Sequence, residues 1–88
     1  MERSEIESQI AEELVSSLQG RDLQAALPEF SRLADDYESL ALMNELPDYA
    51  SPAQAALAEV PGIEALSSAE TAALLSRVYR RALQLAGQ

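Results

Sequence analysis

A seven-residue apolar rhythm runs through the middle of the chain: Leu23, Phe30 and Tyr37 recur at one position, and Ala26, Leu33 and Leu40 at another. That spacing puts both sets on one side of an α-helix and persists for about three heptads, longer than an ordinary strand. Pro28 falls within the rhythm but outside its stripe. A proline inside a helix removes one backbone hydrogen bond and presses on the carbonyl four residues back. Two arrangements are therefore open: a break near Leu27 with Pro28 in the first turn of a new helix, or one kinked or nearly continuous helix to about Leu46. The unbroken phase favours the second, with Asp22 as its cap and Pro47 ending it. No segment alternates apolar with polar residues, so no strand competes. The expected class is all-α, a small bundle of three longer helices and one short one, in a single domain over 1–88.

The remaining breakers place the other helices. Ser4 and Glu7 have capping-box spacing, which predicts a first helix from Glu5 to about Gln19, stopped by Gly20. Its apolar face is Ile6, Ile10, Leu14, Val15 and Leu18, leaving Glu5, Glu12 and Glu13 toward water. Ser51-Pro52-Ala53-Gln54 opens a short helix of about eight residues before Pro61-Gly62, with proline in the first helical position. Ser67 and Glu70 open the last helix, which Gly87 closes; Leu75, Val78, Tyr79, Ala82 and Leu85 form its stripe, widened by Leu74 and Leu83. Gln24-Ala25-Ala26-Leu27 recurs as Gln54-Ala55-Ala56-Leu57. A composition rich in alanine and leucine produces such echoes, and solenoids need more repeats.

Composition closes most catalytic options. The 88 residues contain no histidine, cysteine or lysine, which removes Ser-His-Asp and Cys-His nucleophiles, structural zinc, iron–sulfur clusters and Schiff-base chemistry. No phosphate-cradling glycine loop is present. Asp35, Asp36 and Glu38 are the densest carboxylates, but adjacent helical residues diverge and cannot converge on one cation. We expect no enzyme, no cofactor and no metal. The absence of cysteine, the charged N-terminus and the lack of a long apolar run make a cytoplasmic protein with no membrane span the expectation.

The formal charge is −9, and all of it belongs to residues 1–48, which hold twelve carboxylates and three arginines. Direct nucleic-acid binding is disfavoured, since phosphates require cations. The acidic half serves either as a solvated face or as a docking face for a basic partner, with Glu12, Asp35, Asp36 and Glu38 steering association. An acidic inhibitor that imitates nucleic acid is an alternative of the second kind.

Glu38-Ser39-Leu40, in a small acidic helical chain, is similar to the Asp-Ser-Leu of acyl carrier proteins. The resemblance implies a phosphopantetheine arm on Ser39. This sequence departs from that pattern in having Glu38 for the aspartate, no preceding glycine, and Pro47 soon after.

Leu42, Met43 and Leu46 add to Leu40 and Ala41, so the end of the second helix is apolar nearly all round and must be covered. Either the short helix and the Pro47–Ala50 turn cover it, or Leu42, Met43, Leu46 and Tyr49 form a patch for a partner helix or a second copy of the chain. The function expected is a non-catalytic protein–protein interaction module, an adaptor, docking domain, small chaperone or regulator, using an apolar helix face with an acidic surround.

Overall fold

The computed structural model describes residues 2–48 and 50–87. It is all-α: α1 (Arg3–Ser16), α2 (Arg21–Leu42), α3 (Pro52–Leu57) and α4 (Ser68–Ala86), with a single 3₁₀ turn over Ile63–Ala65. α4 is the central element. It packs along α2 on one side and α1 on the other, and α3 closes against α1 and α4. Ion pairs Arg3–Glu70 and Glu7–Arg77 advance together, so α1 and α4 run in the same direction. Contacts of α2 run in the opposite order, Phe30 with Tyr79, Ala34 with Ser76 and Asn44 with Ala69, so α2 is antiparallel to α4.

α2 passes through Pro28 without interruption, as the unbroken heptad phase suggested. Pro28 and Gln24 are both exposed, so the helix meets the proline on its solvent side, where losing one hydrogen bond costs least. The core uses the middle of the stripe, where Phe30, Leu33, Ala34 and Tyr37 are buried, while Leu23, Ala26 and Leu40 are half-buried. From α4 come Ala72, Leu74, Leu75, Val78, Tyr79 and Ala82; from α1, Ile6, Ile10, Ala11 and Leu14. Leu74 is wholly buried because α4 is covered on more than one side.

Several helix ends differ from expectation. α1 begins at Arg3, with the Glu2 carbonyl accepting from Glu5 and Ile6. Ser4 therefore lies inside the helix and makes no cap, and Arg3 in the first turn pairs with Glu70 of α4. α1 stops at Ser16, short of Gln19, where the Ser17 hydroxyl donates to the otherwise orphan Leu14 carbonyl and the Ser16 hydroxyl adds a second donor to the Glu13 carbonyl, which already accepts the Ser17 N–H. Gly20 rather than Asp22 is the N-cap of α2. Its φ of +55° and ψ of −121° suit the first central residue of a type II′ turn, closed by the Asp22 N–H on the Gln19 carbonyl.

The largest revision is at the other end of α2, which stops at Leu42 and not near Leu46. Asn44 adopts a left-handed φ of +54°. The Glu45 N–H bonds the Leu40 carbonyl and the Asn44 N–H bonds the Ala41 carbonyl, the paired bonds of a Schellman motif. Pro47 follows the stop rather than causing it.

α3 spans six residues, shorter than the eight expected. Val60-Pro61-Gly62-Ile63 is a type II turn, with Gly62 at φ +83° and the Ile63 N–H on the Val60 carbonyl. The α4 capping box is complete: Ser67 Oγ accepts from the Glu70 N–H, and Glu70 accepts from the Ser67 N–H.

Candidate protein-interaction surface

Two tyrosines decide where α3 lies. Tyr37 and Tyr79, 1% and 0% exposed, stack with ring centroids 6.0 Å apart, and Phe30 tilts against Tyr79 at 5.5 Å. Each hydroxyl reaches the start of α3. Tyr79 accepts the Ala53 N–H at 3.1 Å. Tyr37 donates to Gln54 Oε1 at 2.7 Å and lies 2.7 Å from Ser51 Oγ, which accepts the Gln54 N–H. The orphan donors of a six-residue helix are thus met by core side chains, and among the described residues no buried side-chain polar atom lacks a partner. Gln54 therefore spends its side chain on Tyr37, not on the Ser51 backbone. Asn44 plays the matching part at α4, where its Oδ1 accepts the Ala69 N–H at 2.9 Å.

With α3 pinned in this way, the end of α2 is left open. Leu42 is 87% exposed and Met43 58%, the two large hydrophobic side chains left exposed among the described residues. Leu46 is half-buried and lines a shallow groove of about 240 Å³ with Leu57, Ile63 and Leu66. The expected patch is thus divided. Leu42 and Met43 face solvent, Leu46 leans on the core, and Tyr49 lies outside the described residues.

The acidic residues are dispersed. Asp35 and Glu38, one turn apart on α2, both pair with Arg80 of α4. Asp36 pairs with Arg32, which also holds Glu29. These carboxylates are therefore partly neutralised within the chain, although exposed ion pairs add little stability. Glu12 is exposed on α1 and has no ion pair among the described residues. Glu70 is held below the usual carboxylate range, first by the Ser67 backbone N–H and then by the Arg3 guanidinium.

Ser39 is exposed in the last turn of α2. Among the described residues, no cluster of carboxylates could hold a metal ion, and no helix is long and apolar enough to cross a membrane. The chain matches no protein-family model, no curated protein and no solved structure.

Sequence reasoning placed Tyr37 and Tyr79 in the core stripes but missed their hydroxyl contacts, which join residues far apart in the chain. Asn44 was missed although a signal existed, since asparagine after an apolar helix end is a recognised left-handed stop.

Proposed function

We propose that this chain is a non-catalytic protein-binding module that engages its partner through the exposed end of α2. The observation that carries the reading is the adjacent pair Leu42 and Met43, left in water while the other large apolar side chains among the described residues are buried wholly or in part. Full burial of a leucine or methionine side chain is worth about 1.5–3 kcal/mol, so a partner covering both gains substantial affinity from two residues. Methionine also adapts its shape to a contact. The acidic residues Glu12, Asp35, Asp36 and Glu38 contribute steering toward a partner with a basic surface.

The test compares the tagged chain with Leu42→Asp and Met43→Asp variants for retention of partners from its own host's lysate. Both positions are exposed, so the variants should keep the wild-type circular dichroism spectrum, with a melting temperature lowered only by the few degrees that a carboxylate at a helix C-terminus costs. Partner retention at high salt should be lost. Folded variants that still hold the partner would overturn the reading. The acidic-inhibitor alternative, favoured by Glu12, which has no ion pair among the described residues, and by the net charge of −9, predicts a basic partner that is released by salt and indifferent to both substitutions.

A further inference from the structure

A second groove, of about 240 Å³, runs between α1 and α3 and does not include Leu42 or Met43. Ile6 and Ile10 on one wall and Ala56, Val60 and Pro61 on the other make it apolar. One carboxylate stands on each wall: Glu13, one helical step along the stripe from Ile10, and Glu59, just past the end of α3. Both are exposed, and neither is ion-paired among the described residues. The chain's arginines do not serve them. Arg3, Arg32, Arg77 and Arg80 hold other carboxylates, and Arg21 and Arg81 do not line the groove.

No basic residue offsets the charge at the nearby helix ends. Glu13 opens the last turn of α1, which carries no basic residue, and α3 likewise ends without one. The apolar walls and the two carboxylates together select a positive group with an apolar stem, with Gln9 the remaining polar side chain of the lining. Small-molecule sites run to about 300–1,000 Å³, so a groove of this size suits a side chain rather than a free ligand.

We propose that this groove receives an arginine side chain presented by a partner protein, its methylenes on the Ile6, Ile10 and Val60 floor and its guanidinium shared between Glu13 and Glu59. The planar guanidinium has five donors and can serve two carboxylates at once, which a lysine ammonium does less well. A second copy of this chain is the poorer occupant, because each copy brings a charge of −9 to the contact. The proposal rests on the reading of the chain as a protein-binding module but names a different surface.

The test is a nuclear magnetic resonance titration of the ¹⁵N-labelled full chain with two short alanine-leucine peptides, identical except for one arginine in the first and the neutral isostere citrulline in the second. The arginine peptide should shift the amides of Ile6, Ile10, Ala56 and Val60. Affinity should fall about tenfold, equivalent to about 1.4 kcal/mol, with the citrulline peptide and with the Glu13→Gln/Glu59→Gln chain. It should also weaken between about 50 and about 300 mM salt. Equal response to both peptides, shifts elsewhere, or no shift would overturn the proposal. So would a homodimer in sedimentation equilibrium that the double variant dissociates, since the occupant would then be a second copy. Arginine binding in the groove without any partner dependent on Leu42 and Met43 would sink the proposed function alone; the reverse result would sink the groove alone.

Discussion

Asn44 does two jobs, and substitutions at this position separate them. Its left-handed backbone ends α2, and its side chain caps the Ala69 N–H at the start of α4. Asn44→Ala loses both. A Cβ-bearing residue without asparagine's local bonding costs about 1 kcal/mol in the left-handed region, and loss of a cap of this kind about 1 kcal/mol. The expected sum is about 2 kcal/mol, against a total of about 0.05–0.15 kcal/mol per residue for a typical domain. Asn44→Gly loses the cap but relieves the backbone, and should cost about 0.5 kcal/mol. Asn44→Asp keeps the acceptor and tolerates the conformation, and its carboxylate is favourable at the α4 N-terminus but unfavourable by a similar amount at the α2 C-terminus, so this variant should stay within about 0.5 kcal/mol of wild type. Urea unfolding followed by far-UV circular dichroism, with the slope unchanged across the series, reads these differences as midpoints. By thermal melting, the alanine variant should lose about 8–16 °C. The refuting results are specific. Equal loss in the alanine and glycine variants would mean that the left-handed backbone contributes nothing, and a glycine variant more stable than wild type by the full backbone relief would mean the same of the cap.

Tyr79→Phe preserves the ring stack but orphans the buried Ala53 N–H, and should destabilise by about 1–3 kcal/mol in the same urea assay; no change would mean that α3 is not pinned from α4. Because the Glu70 pKa is depressed in the folded chain, its stabilisation is present above the unfolded-state value and is lost as pH falls through the folded one. Melting temperature should drop on acidification through that window, and Glu70→Gln should flatten that component of the profile. Pro28→Ala restores a donor for the Gln24 carbonyl at an exposed position in α2 and should raise stability by about 1–3 kcal/mol. A lower unfolding midpoint would instead show that packing of α2 on α4 requires the proline's local geometry.

The site was only partly legible. Leu42, Met43 and Leu46 could be marked as surplus apolar residues, but whether they are covered depends on where α3 lies. That position is set by Tyr37 and Tyr79 reaching Ser51, Gln54 and Ala53, contacts between residues too distant in the chain for a local pattern to reveal. The acidic face was legible as composition but not as geometry, because an arginine on α4 draws Asp35 and Glu38 together while Glu12 stands apart on α1. Nor could a linear reading bring Glu13 and Glu59 to one groove.

What the sequence alone determined was whatever repeats within a few residues. The heptad phase favoured a helix continuing through Pro28 over a break there, Ser51-Pro52 and Ser67 with Glu70 specified two helix starts, and the missing residue types removed whole classes of chemistry. Those properties follow from local backbone geometry and from the inventory of functional groups. Tertiary structure alone decided that α4 is the central helix, that Arg3 of α1 meets Glu70 of α4, and that the end of α2 is open. Each of these is a pairing between distant segments, and burial and hydrogen bonding of that kind are energies of the folded chain that no short stretch of it contains.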